Sequence, residues 1–186
     1  MRKNFGPKPF LYPQLVMVIA SCGKDGTPDA MNAAWGGIAG GDKIFLCLSS
    51  NHKTVENILE RKAFTVSVAD EAHLVGADYV GLVSGNDVPD KLERSGFHVT
   101  RSEFVDAPVI DELPLVLECR LLSYAPNTHF MVGEIVNAGA DEAILDEAGM
   151  IDPAKLKPLT FDPANGTYWS LGEKMGKAFS DGSQLK

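Results

Sequence analysis

Short apolar runs separated by turn-forming residues fill the first part of the chain. The runs at residues 14–22 and 29–40 flank the turn sequence KDGTP. Asp-Gly between two apolar runs is a strong hairpin signal, so these runs are predicted to pair as antiparallel strands. The run KIFLCLSS at residues 43–50 predicts a third strand. The alternating run FTVSVAD at residues 64–70 is rich in β-branched side chains and predicts a fourth.

Three segments have the residue spacing of helices. Residues 52–63 carry apolar positions three and four apart and have Arg-Lys near their end, which suits the negative end of a helix dipole. A second helix is predicted within residues 71–84. A short third helix is predicted at residues 90–96, where the final glycine can adopt the left-handed conformation that ends a helix.

Strands return in the second half of the chain. Residues 113–126 and 128–140 predict two long strands joined by a short Pro-Asn turn. Residues 158–162 and 167–172 predict two short strands, and residues 172–179 predict a helical tail. This order lacks the strand-helix alternation of a parallel sheet. It favours a mostly-β fold of the α+β class, an antiparallel barrel with helices inserted at its rim.

Length and composition fit one globular domain over residues 1–186. Of the 186 residues, 45% are hydrophobic, which allows a substantial core. The longest apolar runs are strand-sized, and the N-terminus lacks the long apolar segment of a signal peptide. We therefore expect a cytoplasmic protein that does not enter a membrane. The net charge of -8 argues against nucleic acid as a partner, because backbone binding needs clustered lysine and arginine.

The three cysteines give no sign of a metal or redox pair. Cys22, Cys47 and Cys119 are far apart, and each lies in an apolar strand-like run. This spacing excludes a CxxC motif. We predict that all three are buried free thiols.

A dense polar cluster stands between the third strand and the first helix. Residues 49–54, SSNHKT, supply three hydroxyls, an amide, an imidazole and an ammonium group at the helix start. The free N–H groups of a helix start carry partial positive charge, and hydroxyls plus a lysine add donors for phosphate oxygens. The cluster therefore predicts a phosphate site. A helix cap without any ligand uses the same residue types, and the segment alone does not separate the two.

Several motifs together resemble one known family. They are a first strand after Pro13, a turn with Gly26, the sequence NAAWGG, a strand ending SSxxKT followed by ENI, and YWxLG near the C-terminus. This combination is similar to the flavin reductase-like family of FMN-binding split-barrel proteins, and within it to the flavoredoxin type. The resemblance covers residues 11–179. It implies a six-stranded antiparallel split barrel, a homodimer, and one non-covalent FMN per subunit near the dimer interface.

The resemblance assigns the isoalloxazine ring to Asn32, Ala33, Ala34 and Trp35. A flavin has carbonyl and N–H groups along its pyrimidine edge, which match the C=O and N–H groups of a strand edge. The two alanines allow a close approach, and the Asn32 amide both donates and accepts. The alternative is that Asn32 lies at a bulge and Trp35 belongs to the core.

The resemblance also assigns phosphate and ribityl contacts to Ser49, Ser50, Lys53 and Thr54. His52 stands where many relatives have an arginine. Arginine is always charged and binds phosphate through a two-pronged fork, whereas histidine near pH 7 is often neutral. Lys53 must then carry more of the phosphate binding. The alternative for His52 is an exposed residue at the helix start with no ligand contact.

Other polar and aromatic residues receive smaller roles. Tyr168 and Trp169 lie where the resembling proteins complete the fold and the dimer, with plain core packing as the alternative. We assign no chemistry to four scattered residues that lack metal or triad spacing: His73, Asp78, His98 and His129.

The implied activity follows from the cofactor. Flavin N5 accepts a hydride from a nicotinamide stacked on the ring, while the protein positions the ring and excludes water. The chain lacks a Rossmann fingerprint, so NADH or NADPH is expected to bind transiently over the flavin. The first hypothesis is an NAD(P)H-dependent FMN oxidoreductase. The alternatives are an electron carrier reduced by a partner protein, and a flavin-storing or flavin-sensing module without turnover.

Overall fold

Strands dominate the computed structural model, which describes residues 1–185. In chain order they are β1 (Gln14–Leu15), β2 (Met17–Cys22), β3 (Pro28–Ala33), β4 (Gly36–Ile38), β5 (Lys43–Cys47), β6 (Ala63–Val68), β7 (Val99–Arg101), β8 (Pro108–Ile110), β9 (Leu115–Ala125), β10 (Phe130–Ala140), β11 (Leu159–Asp162) and β12 (Thr167–Ser170). The α-helices are α1 (Lys53–Arg61), α2 (Leu74–Leu82), α3 (Lys91–Ser95) and α4 (Pro153–Leu156). Short 3₁₀ helices occur at Glu71–His73, Glu142–Ile144 and Asp181–Leu185.

The main sheet curls because its two edges are joined by a very short link. Its strand order is β3-β2-β6-β9-β10-β5-β4, and its neighbours pair antiparallel. Laid flat, its outer strands would lie about 29 Å apart. Only Ala34 and Trp35 connect β3 to β4, and this link spans at most about 11 Å. The edges must therefore meet at a seam formed by Ala34 and Trp35.

This curled antiparallel sheet confirms the predicted split-barrel fold class. The main sheet has seven strands where six were expected, because Gly36–Ile38 pair with β5 as a separate short strand. A second sheet, β1-β11-β12, and a small hairpin of β7 and β8 complete the strand pairing among the described residues.

The central strands bury both faces. Along β2, Val18 packs with α2 and α3 residues in one apolar cluster, while Met17 and Ile19 pack with α1 residues in another. All six residues of β6 are buried as well. The two clusters hold α1, α2 and α3 against the sheet, which fixes the N-terminus of α1 close to the seam.

Most predicted elements are confirmed, and the chain terminus is the main exception. The first hairpin, the third and fourth strands, the three helices and the long β9-β10 hairpin all occur near their predicted positions. The helical tail predicted at residues 172–179 is wrong, since residues 171–177 have no regular secondary structure. Gly172 and Gly176 disfavour a helix there. The β7-β8 hairpin was not anticipated.

Candidate functional site

A cavity of 280 Å³ lies at the seam of the barrel. Residues 32–35 line it, together with Cys47, His52, Phe161 and Tyr168. Its wall therefore mixes apolar surface with an amide, an imidazole and a phenol. The cavity sits where β3 ends as an edge strand, so backbone groups on the outer side of β3 have no strand partner.

The structure resolves the alternatives for Asn32 and Trp35. Asn32 pairs with Val18, and Ala33 pairs with Met17, in an unbroken register without a bulge. Trp35 is 42% exposed and is not a core residue. Its carbonyl accepts a hydrogen bond of 2.8 Å from the Cys47 N–H, which ties the seam to β5. All four residues of the predicted ring segment thus reach one cavity.

The polar cluster at the start of α1 does not act as a side-chain cap. His52 occupies the N-cap position in an extended conformation, and its side chain makes no capping hydrogen bond. The first N–H groups of a helix have no partner within the helix. Ser49 is half-buried and Ser50 is exposed, and both lie in the loop between β5 and α1. These groups remain available to a ligand.

His52 lies in the wall of the seam cavity and is held toward its neutral form. His52 is exposed, but the surrounding protein partly desolvates its imidazole and lowers the pKa. The positive charge of Lys91 lowers it further, with partial opposition from Asp29. A neutral imidazole offers one N–H donor and one acceptor. His52 therefore supplies a hydrogen bond but little charge at neutral pH.

Lys53 points to a different cavity. It lines a neighbouring space of 360 Å³ with Asn57 and Gly85. Its ammonium group lies 3.2 Å from a carboxylate oxygen of Glu56, with 31% of the lysine side chain exposed. The structure therefore separates Lys53 from His52, the residue before it, and places them on two sides of the helix start.

The Thr54 hydroxyl is already occupied. Thr54 is 1% exposed, and its hydroxyl donates a hydrogen bond of 2.5 Å to Asp29. The other oxygen of Asp29 pairs with the Lys91 ammonium group at 2.9 Å, with both side chains buried. Through its contacts with Thr54 and Lys91, Asp29 links β3 to α1 and α3. Only the backbone N–H of Thr54 remains for a ligand, a change from the side-chain contact that the sequence suggested.

Tyr168 reaches the cavity from β12, and its hydroxyl donates to Asp78 on α2 at 2.6 Å. Burial and the adjacent carboxylate raise the pKa of Tyr168 to about 12. Trp169, its neighbour in sequence, is 64% exposed. Nothing in the sequence indicated a role for Asp78. Asp78 and Tyr168 are too far apart in the chain for their spacing to signal a contact.

The remaining histidines lie away from the cavity wall. His73 pairs with Asp70, and His98 pairs with Glu112. Within residues 1–185, no group of three or more histidine, cysteine, aspartate or glutamate side chains is arranged to hold a metal ion.

The cysteines differ more than predicted. Cys119 is buried, and burial raises the pKa of its thiol to about 12. Cys22 is half-buried, and burial also raises its pKa. Cys47 is half-buried and lines the seam cavity. The prediction of three buried thiols therefore holds only for Cys119, and Cys47 is a site residue that the sequence did not reveal.

Comparison with known proteins identifies the class. The family described as "Flavin reductase like domain" matches residues 10–165. The chain therefore belongs to the flavin reductase-like family. Among the described residues, no helix has both the length and the apolar character needed to cross a membrane.

Two solved structures and one sequence relative are especially similar. Flavoredoxin of Desulfovibrio vulgaris (Miyazaki F) matches with a TM-score of 0.94 and 34% identity, covering 98% of this chain and 100% of that one. Flavoredoxin from Methanosarcina acetivorans matches with a TM-score of 0.90 and 29% identity, covering 100% of both chains. An uncharacterized protein of Aquifex aeolicus is 31% identical over 111 residues, which are 57% of this chain and 55% of that protein. The match thus spans about half the length of that relative.

The residues at the seam fit a flavin. A flavin ring is flat and largely apolar, with carbonyl and N–H groups along one edge. The cavity offers small side chains at Ala33 and Ala34, the amide of Asn32, and the unpaired outer side of the edge strand β3. Gly81 lacks a side chain where the Asn32 amide packs against it. The donor set and the shape therefore suit such a ring.

Proposed function

We propose that this protein binds FMN at the seam cavity and acts as an NAD(P)H-dependent flavin oxidoreductase. The observation that carries the proposal is the convergence of residues 32–35, the start of α1 and Tyr168 on one cavity. Family membership supports a flavin ligand. In this proposal the ring lies along residues 32–35, and the phosphate lies toward the start of α1.

The phosphate end of the ligand is bound by unoccupied donors. The hydroxyls of Ser49 and Ser50 and the first N–H groups of α1 supply neutral donors, and His52 adds one N–H. Lys53 supplies the positive charge in this proposal, which requires its ammonium group to leave Glu56 and the neighbouring cavity and to turn toward the phosphate. Thr54 contributes a donor through its backbone N–H. Its side-chain hydrogen bond to Asp29 also holds the helix start in position.

The bound flavin would supply the redox chemistry by taking a hydride at N5 and passing electrons onward. The chain's own residues bind and orient the ring. Apolar side chains such as Met31 and Leu48 exclude water from the inner wall. Trp35 stands at the exposed rim, so a nicotinamide has access from that side in this proposal.

One observation favours a second candidate function. The likeness to two flavoredoxins extends over essentially the whole chain. An electron carrier of that type accepts electrons from a partner protein and needs no nicotinamide access. Both candidates use the same flavin cavity, and a cytoplasmic location suits both.

We also propose a homodimer, because an exposed aromatic pair borders the cavity. Phe45 and Phe130 are 38% and 53% exposed, with ring centroids 6.3 Å apart. Phe130 pairs with Cys47, which lines the cavity, so these side chains share one face of the sheet. A second copy covers this face and shields the ring. Sedimentation at low micromolar concentration is expected to give a dimer, and a monomer that still binds FMN tightly would contradict this.

The experiment for the function itself is a comparison of three flavins. FMN, riboflavin and FAD are titrated into the apoprotein, and binding is followed by quenching of flavin fluorescence. FMN is expected to bind at least about tenfold more tightly than riboflavin, since charged hydrogen bonds contribute about 1.5–3 kcal/mol each. Equal affinity for FMN and riboflavin would contradict the phosphate site, and failure to bind any flavin would contradict the proposed function.

A further inference from the structure

Three elements of the fold meet at the side chain of Asn32. Asn32 comes from β3, Tyr168 from β12 and Asp78 from α2. The Tyr168 hydroxyl donates to a carboxylate oxygen of Asp78 at 2.6 Å, and both side chains are partly buried. Tyr168 and Asn32 line the same cavity. These residues form a chain of contacts that runs from the half-buried carboxylate to the proposed flavin cavity.

The hydrogen bond to Asp78 determines whether the Tyr168 hydroxyl donates to or accepts from its other neighbours. A phenol has one proton to donate and lone pairs that accept. The raised pKa of Tyr168 keeps that proton in place across the physiological range. Because the proton is donated to Asp78, the Tyr168 oxygen can only accept from other groups. Asn32 shares the cavity wall with Tyr168, and its amide tends to lower the tyrosine pKa. An amide lowers the pKa of a phenol by directing its N–H toward the phenol oxygen, so this is the orientation that the cluster favours for Asn32.

The helix α2 restrains the same amide from another side. A Cβ atom on Gly81 would lie 2.1 Å from the Asn32 amide oxygen and 2.6 Å from its nitrogen. The backbone of α2 therefore packs directly on the carboxamide, and the amide has no room to swing toward it. Gly81 belongs to the same helix as Asp78, so one rigid element supplies both the steric stop and the carboxylate.

We propose that Asp78 and Tyr168 are positioning residues that hold the Asn32 amide in a single orientation for an imide-type ring edge. With one N–H directed to Tyr168, Asn32 keeps a fixed carbonyl oxygen and a second N–H for a ligand. A C(=O)–NH edge, as in the pyrimidine ring of a flavin, complements this acceptor and donor. The inference rests on the proposed function and adds the selection of the ring edge to it. Supporting groups of this kind set the geometry of the residue that touches the ligand.

The test compares Tyr168→Phe, Asp78→Ala and the double variant with wild type. Each single variant frees the Asn32 amide, so affinity is expected to fall by about three- to tenfold, the effect of one ordinary hydrogen bond. FMN and riboflavin should weaken by the same factor, because the phosphate is not involved. The double variant should be no weaker than either single one, since both changes break one chain of contacts. Asp78→Asn retains an acceptor for the phenol and should restore affinity.

Tyr79→Phe is the matched control, because Tyr79 lies on α2 next to Asp78 but does not line the cavity. The midpoint potential of bound FMN is the second readout, and it should shift in Tyr168→Phe but not in the control. Should Asp78→Ala fail to fold, Tyr168→Phe and Asp78→Asn still decide the question. Wild-type flavin affinity and potential in Tyr168→Phe, with only lower thermal stability, would overturn the inference while leaving the proposed function intact. A wild type without flavin affinity would overturn both.

Discussion

Asn32 and Gly81 touch so closely that a Cβ atom on Gly81 would lie 2.1 Å from the Asn32 amide oxygen. The contact joins β3 to α2 at the wall of the seam cavity. Glycine within a helix usually costs about 0.5–1 kcal/mol relative to alanine. Its presence in α2 therefore follows from packing against Asn32 and not from helix propensity.

The first prediction is that Gly81→Ala impairs flavin binding. The added methyl group must displace the Asn32 carboxamide, which belongs to the proposed ring site. Flavin affinity should fall by about tenfold or more, as expected for an overpacked contact of 1–3 kcal/mol. Fluorescence titration with FMN provides the measurement. Gly182→Ala, at a position with no neighbouring atom within 4 Å, serves as the control. Unchanged affinity in Gly81→Ala would remove Asn32 from the ring site.

The second prediction concerns Ala34 and Trp35 at the seam. Replacing Ala34 with leucine adds bulk where the ring is expected to lie, and should weaken FMN by about 1–3 kcal/mol without unfolding the barrel. FMN should also quench Trp35 fluorescence, and Trp35→Phe should abolish most of this signal. Ala154→Leu places the same bulk at an exposed position of α4 as a control. Full FMN affinity in Ala34→Leu would argue that the ring lies elsewhere.

The third prediction separates phosphate binding from ring binding. Lys53→Ala removes the proposed positive charge and should weaken FMN by about tenfold, the lower end for a charged hydrogen bond because Lys53 is partly exposed. Riboflavin, which has no phosphate, should be little affected. Lys24→Ala is a matched control, since Lys24 lines the same neighbouring cavity but is 87% exposed. Equal losses for both flavins would contradict the role of Lys53.

The fourth prediction is a pH dependence that originates at His52. Partial desolvation and Lys91 lower the His52 pKa in the free protein, against the opposing charge of Asp29. A bound phosphate favours the imidazolium form and raises that pKa, so binding takes up a proton. FMN affinity should therefore rise as pH falls through the pKa of the complex, and the gain levels off below the pKa of the free protein. Each unit of pKa shift corresponds to up to about tenfold in affinity.

The measurement is an FMN titration from about pH 8 to about pH 6.5, which stays above the second pKa of the phosphate, at about 6. His52→Gln keeps a hydrogen-bonding side chain and should flatten the profile. Riboflavin should show little pH dependence with either protein. A slope that persists unchanged in His52→Gln would assign the titration to another group.

The sequence singled out residues 32–35 as one segment but did not reveal the side chains that pack around it. The unbroken pattern of β3 and the small residues after Asn32 carry local information, and the structure places residues 32–35 at one cavity. That a flavin ring lies along them stays a prediction. The contact between Asp78 and Tyr168 joins positions that are 90 residues apart in the chain. Such a pairing depends on how α2 and β12 pack and leaves no spacing signal in the sequence.

The polar cluster at α1 illustrates the same limit at shorter range. Residue type predicted donors at the helix start, and the donors are present. The direction of each side chain depends on tertiary neighbours, so Thr54 turns inward to Asp29 while Lys53 and His52 face different cavities. Asp29 itself is buried through its pairing with Lys91, a long-range contact that local patterns do not encode.

The most direct test of the central claim is the response of the FMN-loaded protein to reduced nicotinamides without oxygen. NADH or NADPH in excess is mixed anaerobically with the protein, and the flavin absorbance is followed over time. An NAD(P)H-dependent oxidoreductase should bleach within seconds, because the proposed ring site opens beside Trp35, which is 42% exposed. A flavin that stays fully oxidised with both nicotinamides, yet is reduced by dithionite, would contradict the proposed oxidoreductase activity. The electron-carrier function would then remain as the proposal.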